Sequence, residues 1–343
     1  MSAKRKKGKG RGKSRRISLK SGFLLLAFLA VWGFVSEWFV HHPRAWIDAQ
    51  PTVVAAPLLW FGNPLADITD ALDLTGYDTV CEYDTEAPAN SVLFAGAPVR
   101  ISAPAPDDIR IIDRGEFKIG WSDTLRHPVW CAYHVVRAAP FSSETAAHRP
   151  AFSKDRALPR SPDPKEYTHS GYDRGHMAPN YAIATRYGVE MQKRTFLTSN
   201  ITPQSESLNR GVWREVEHRI ADLWTARYGE IWVIVGCISR LSHRETIGET
   251  SIDVPRQFYQ IVIAQEGMDV RALALLFDQS TPYRAWPARH LVTIDEIEKL
   301  SGLDFNSEMP SFMQDQLEAD LPNRLWPVRP LDVLSQLSFR FNP

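Results

Sequence analysis

A chain of 343 residues with 44% hydrophobic composition and no net formal charge can bury a full core, which excludes a disordered or collagen-like polymer. The neutral total hides an asymmetry: residues 1–20 hold ten Lys or Arg and no acid, leaving 30 basic against 40 acidic side chains, about −10, for residues 21–343. Overall attraction therefore cannot bring that body to a polyanion, and a local basic cleft has to do so.

The basic run, Lys4 to Lys20, leads into an apolar stretch from Ser21 to Val40 whose only charge is Glu37. About twenty such residues cross a hydrocarbon core of roughly 30 Å. Positive charge ahead of the span keeps the N-terminus inside and sends the rest outward. This predicts a cytoplasmic tail at 1–20, a transmembrane signal anchor at 21–40 and an extracytoplasmic body. A cleaved signal peptide fits less well, because no small-x-small site lies beyond the span. Residues 41–105, rich in Pro and Ala, read as a spacer able to pack on the main domain, with one short helix around Pro64 to Leu74.

From Ile109 onward, short β-type runs alternate with turns: Ile109–Asp113, Phe117–Trp121, Val129–Val136, Thr195–Thr198, Ile231–Val235, Phe258–Ala264 and Val270–Phe277. Ser207 to Tyr228 has the clearest helical period, with Val212, Val216, Ile220 and Leu223 on one face and Ser207 as N-cap. Ile294–Leu300 and Ser311–Leu321 read as shorter helices. Strands with a few inserted helices predict an α+β domain over residues 106–343. Cys81, Cys131 and Cys237 permit at most one disulfide, with three pairings open, and offer no CxxC metal site. Cys131 and Cys237 sit in apolar strand-like runs and read as small buried hydrophobes.

Two polar motifs interrupt this pattern. The first is Tyr172-Asp173-Arg174-Gly175-His176-Met177-Ala178-Pro179-Asn180. The second runs Thr198-Ser199-Asn200-Ile201-Thr202-Pro203-Gln204, then Leu208-Asn209-Arg210-Gly211-Val212-Trp213, and ends near Glu217. His176 can take a proton from water near neutral pH. The Asn209 carbonyl is a hard oxygen that can hold Mg²⁺ and leave most of its sphere to water and phosphate. Together they suit metal-assisted phosphodiester hydrolysis. A backbone-bonded histidine and a helix-capping asparagine are the alternatives. On one continuous helix, Asn209, Trp213 and Glu217 would share a face.

These motifs resemble those of the DNA/RNA non-specific endonucleases, a family that includes bacterial sugar-non-specific nucleases and mitochondrial endonuclease G. The likeness extends to Phe117–Val136 with its Pro-Val-Trp, to Ile252-Asp253-Val254-Pro255 with Phe258-Tyr259, and to Ile294–Phe305, covering about residues 106 to 320. It implies a ββα-metal (His-Me finger) fold with a central mixed or antiparallel sheet and flanking helices. It also implies His176 as general base, Asn209 on Mg²⁺ (or Mn²⁺) and Glu217 on metal-bound water. Asn200 would orient His176 or touch the phosphate, and Arg149, the best match to the family's upstream arginine, would steady the phosphate; Arg156 and Arg160 lie close by in the sequence. Asp173 and Arg174 would act in catalysis or as a supporting pair. Gln260 stands where the family usually has Lys after Phe-Tyr. The implied protein is a membrane-anchored endonuclease cutting DNA and RNA with little sequence preference to give 5′-phosphate ends, with a homodimer among its expected partners. An inactive nuclease-like binding domain and a phosphodiesterase for small nucleotides are the rivals. Its expected place is the inner or cell membrane, facing the periplasm; secretion or a mitochondrial location are the alternatives.

Overall fold

Alternating side chains along four long strands set the architecture. In β5 (His127–Val136), Cys131, Tyr133 and Val135 enter one apolar cluster, while Trp130 and Ala132 enter another. The same division holds in β8 (Glu230–Ile238), where Ile231, Val233 and Val235 oppose Trp232 and Ile234, and in β11 (Gln257–Glu266), where Phe258 and Val262 oppose Tyr259 and Ile261. It recurs in β12 (Asp269–Asp278). Period-two alternation with both sets apolar makes a sheet covered on both faces. Each fully buried Val, Leu, Ile or Phe contributes about 1.5–3 kcal/mol relative to exposure.

The computed structural model of the chain describes residues 80–82, 91–138, 149–240, 242 and 244–328. All of these belong to one unit, residues 67–343. The basic tail, the apolar span at 21–40 and the helix expected around Pro64 to Leu74 lie outside the described residues. Among the described residues no helix is long and apolar enough to cross a membrane.

The sheet runs β1 (Cys81–Glu82), β12, β11, β8, β5, β4 (Phe117–Ser122), β3 (Ile109–Asp113), with β13 (Leu291–Val292) on β12. Every pairing in it is antiparallel, which narrows the expected mixed or antiparallel sheet to the second. The observed strands extend β4 and β5 by one or two residues beyond the sequence reading. Residues at the end of the expected spacer belong to this body. Phe94 meets Trp232 edge-on at 5.3 Å, and β2 (Val99–Arg100) pairs with β14 (Leu303–Asp304). The three cysteines are free and buried.

One face is covered by the helix Asn180–Thr195 and by the helical run from Glu206 to Tyr228. The other is covered by Ile294–Ser301, capped by Thr293 Oγ1 accepting from Glu296 N at 3.0 Å, and by Ser311–Ala319. Two sequence expectations change here. Thr195–Thr198 is not a strand but the end of the Asn180–Thr195 helix and the start of a 3₁₀ turn; the strand is β7 (Ile201–Gln204). The run expected at Ser207–Tyr228 starts at Glu206, with Ser205 as its cap. It breaks at Gly211, resumes over Val212–His218, widens into a π-helical turn over Arg219–Trp224, and ends with Thr225–Tyr228.

Where the helices Ile294–Ser301 and Ser311–Ala319 meet, carboxylate oxygens of Asp295, Glu298 and Glu318 lie within 4.8 Å of one another. Burial, opposed by an Asn306 hydrogen bond and reinforced by Glu298, Asp304 and Asp295, raises Glu318 to about 8. Burial and the neighbouring Asp304 and Asp295 raise Glu298 to about 7. A carboxyl raised in the fold contributes stability that is complete below its ordinary 4.5 and is lost as pH climbs through the folded value. The melting temperature is expected to fall between about pH 5 and pH 8, and Glu318→Gln should flatten that fall. Parallel melting curves for the two proteins across this range would refute the assignment.

Candidate active site

The site is built on β6 (Asp173–His176), which pairs antiparallel with β7, and on the helix Glu206–Arg210 directly after β7. Only glycine fits at 175, because a Cβ there would lie 2.6 Å from Gln204 Oε1 on the paired strand. Gln279 fixes the strand-to-helix junction: its Oε1 accepts from Ser205 N at 2.7 Å, and its Nε2 donates to Pro203 O at 2.9 Å.

His176 ends β6 with its ring held in an aromatic slot, 4.8 Å edge-on from Phe196 and 5.3 Å from Phe152. Nε2 is buried and has no hydrogen-bond partner among the described residues. Burial, reinforced by the Arg149 charge, lowers its pKa to about 3. The ring is therefore neutral at physiological pH. Arg149 lies over Phe196 at 5.7 Å, and its charge also acts on Glu217. It thus reaches both the imidazole and the carboxylate electrostatically.

Asn200 is fully buried and its amide is wholly engaged. Oδ1 accepts from Ala178 N at 2.9 Å, and Nδ2 donates to Ala178 O and Thr195 O, each at 3.0 Å. Its backbone carbonyl also accepts from Met177 N at 3.0 Å. No donor remains for a phosphate, so its geometry is that of a clamp on the two residues after His176.

Asp173 and Arg174 do not pair with each other, and neither reaches the imidazole by a hydrogen bond. Asp173 accepts from Asn209 Nδ2 at 2.9 Å and from Arg210 Nε and Nη2, each at 2.8 Å. It therefore straps the histidine strand to the asparagine helix. The Arg174 guanidinium donates to Pro164 O and to Thr168 Oγ1 and lies 5.5 Å over Phe152. These contacts support the surrounding chain, Asp173 through Asn209 and Arg210, and Arg174 through Pro164 and Thr168.

Because the Asn209 nitrogen faces Asp173, its Oδ1 is left without a hydrogen-bond partner among the described residues. Glu217 is not on the same helix as Asn209: the Gly211 break lies between them, so the expected shared face is lost. Its Oε1 accepts from Trp213 Nε1 at 3.0 Å. Burial raises it to about 8 against the pull of Trp213, Arg214 and Arg149. At Gly211 an added Cβ would lie 2.3 Å from both Ser207 O and Tyr283 O. Gly211→Ala is expected to destabilise the fold by about 1–3 kcal/mol and to displace Asn209; an unchanged melting temperature would count against this packing.

The donor set tests which metal fits. Among the described residues the only cluster of three carboxylate, imidazole or thiolate ligands is the acidic group of Asp295, Glu298 and Glu318. One neutral amide oxygen with a nearby carboxylate suits a hard cation that keeps most of its water, and not a zinc site of three or four N or S ligands. The residues fit Mg²⁺ or Mn²⁺. Sequence reasoning missed Phe152 and Phe196, which wall the imidazole, and also Arg210 and Gln279. Arg210 carried a signal, since Glu206 lies four residues before it and the two pair at 2.9 Å.

A neutral imidazole, a guanidinium whose charge reaches it and an amide oxygen left open by its own hydrogen bond thus lie on adjoining elements of this fold. The chain belongs to the DNA/RNA non-specific endonuclease family, whose model matches residues 96–312. It is 29% identical over 217 residues to a nuclease of Serratia marcescens, across 61% of this chain and 79% of that protein. It is 29% identical over 208 residues to the mitochondrial nuclease EXOG of Xenopus laevis, across 54% of this chain and 55% of that protein. The human mitochondrial nuclease EXOG is 27% identical over 203 residues, across 54% of each chain. The chain thus spans about half the length of these mitochondrial relatives. Its fold is similar to a crystal structure of the EndoG/EndoGI complex, with a TM-score of 0.54 at 22% identity over 66% of this chain and 95% of that one.

Proposed function

We propose that this enzyme is a metal-dependent endonuclease that hydrolyses phosphodiester bonds of both DNA and RNA without marked sequence preference. The observation that carries the reading is the neutral imidazole of His176, held in its aromatic slot under the Arg149 charge, on a strand strapped through Asp173 to Asn209. Asn209 Oδ1 would hold Mg²⁺, with Glu217 turned toward the metal's water. When bound, the cation supplies positive charge to the phosphate oxygens and the departing 3′ oxygen. The His176 imidazole takes the proton of the attacking water; the new P–O bond forms as the P–O3′ bond breaks, and O3′ takes a proton from solvent, leaving a 5′-phosphate and a 3′-hydroxyl. Phosphate beside Arg149 would offset that cation, the lesser of the two influences that lower the ring's proton affinity, burial being the larger. The Arg149 guanidinium meets the charge developing on the phosphoryl oxygens. Contacts confined to phosphate and metal carry no sequence information, which supports broad substrate use.

The apolar run at 21–40 behind ten positive charges supports a membrane anchor with the enzyme on the extracytoplasmic side. The test is digestion of plasmid DNA and of structured RNA by the full chain in detergent, with Mg²⁺ or Mn²⁺ and with EDTA. Internal cuts in both polymers, stopped by EDTA, are expected. Cleavage that persists in EDTA sinks the metal assignment; intact polymers in Mg²⁺ and Mn²⁺ sink the enzyme reading.

A further inference from the structure

Residues 149–174 form an arch beside the imidazole, and both its feet are fixed. At one foot, Ser153 N donates to Phe196 O at 3.1 Å and Thr198 N donates to Ser153 O at 2.9 Å, one residue from the Phe152 ring against His176. At the other, Ser161 Oγ meets Thr198 Oγ1 at 2.7 Å, Thr198 Oγ1 donates to Pro162 O at 2.8 Å, and Arg174 grips Pro164 O. Leu158 and Tyr167 are buried under it. The arch is held by packing and hydrogen bonds, those of Arg174 among them, so its shape does not depend on its four exposed cations.

Those cations are Lys154, Arg156, Arg160 and Lys165. All four are exposed, and their side chains have no ion pair or hydrogen bond among the described residues. The acids of the arch, by contrast, are committed. Asp155 is buried against Arg114, Asp163 caps the turn by accepting from Lys165 N at 2.9 Å, and Glu166 accepts from Thr250 N at 2.8 Å and Thr250 Oγ1 at 2.7 Å. Four exposed cations without an ion pair on one short arch stand out in a body carrying about −10. Long flexible cations with no internal partner are what a polyanion's successive phosphates neutralise, with release of counterions.

Resting on the nuclease reading above, we infer that Lys154, Arg156, Arg160 and Lys165 form a phosphate-tracking rail that holds the polymer backbone beyond the bond being cut. The rail contributes to polymer affinity and not to chemistry. Chemistry at a phosphate seated by Arg149 and Asn209 needs none of the four.

The experiment uses the full chain with all four residues replaced, Lys154→Gln, Arg156→Gln, Arg160→Gln and Lys165→Gln. Affinity for a labelled single-stranded oligonucleotide is measured in EDTA, where no cutting intervenes, across a salt series. The basic N-terminal run is present in both proteins and cancels in the comparison. The slope of log affinity against log salt is expected to fall in magnitude by about 0.7 for each cation engaged, with affinity at low salt down tenfold or more. Hydrolysis of a small nitrophenyl phosphodiester of thymidine should keep the wild-type turnover. An unchanged salt slope overturns the rail. So does an equal loss on the small ester, which would place these residues in the chemistry. Binding is read without catalysis, so a wild type that cuts neither substrate refutes the nuclease reading while the salt slope still decides the rail.

Discussion

Replacing His176 with alanine is expected to slow DNA cleavage by about 10²–10⁴-fold, the span for losing a positioned general base, with oligonucleotide affinity near wild type. The ring sits between Phe152 and Phe196 and makes no hydrogen bond through Nε2 among the described residues, so its removal breaks no polar network there. The fold should survive with a modest loss for the vacated slot. His176→Gln keeps a polar group in the slot without an imidazole and should be as inactive. A folded alanine variant cutting plasmid at the wild-type rate would move the base elsewhere in the cleft.

Asn209→Ala is the second large effect, and it should appear in the metal titration. With one protein oxygen on the cation, its loss should raise the Mg²⁺ requirement by at least about 10–100-fold, the range seen when even supporting groups of a metal site are removed. Asn209→Asp gives a sharper test. A carboxylate is the stronger ligand in isolation, yet here it would face Asp173 across the 2.9 Å now bridged by the amide nitrogen. Two carboxylates at that distance repel and hold a proton, so the aspartate variant should also need more Mg²⁺ than wild type, and most acutely at low pH. A Mg²⁺ curve unchanged in both variants would leave Asn209 as part of the Asp173 strap alone.

The long strands were legible in the sequence because each alternates on both faces, and the motifs of His176 and Asn209 singled out two residues that the fold places on elements joined through Asp173. The misreadings have local causes. Thr195-Phe196-Leu197-Thr198 alternates β-branched and bulky apolar residues as a strand would. The Asn200 side chain nonetheless donates through Nδ2 to Thr195 O and closes a turn there. The Asn180–Thr195 helix lacked a clean stripe because Gly188, at φ +82°, divides it in two. The shared face of Asn209 and Glu217 failed because close approach of the Tyr283 backbone requires a break at Gly211. Asp173 and Arg174, adjacent in sequence, project to opposite sides of a strand and find separate partners, which no reading of neighbours could reveal.

The Asn200 clamp has a bearing on how the enzyme fails. One amide joins the segment after the imidazole to the end of the preceding helix, and the adjoining backbone N–H donates to Leu197 O at 2.9 Å. Those ties are fully buried, so none can open separately to water without exposing the others. The placement of the His176 segment therefore belongs to the same cooperative unit as the sheet beneath it and not to a surface loop that frays first. Heat or denaturant should not loosen the segment after His176 while the fold persists; the half-exposed strap of Asp173 to Asn209 and Arg210 is the part of the site able to open first.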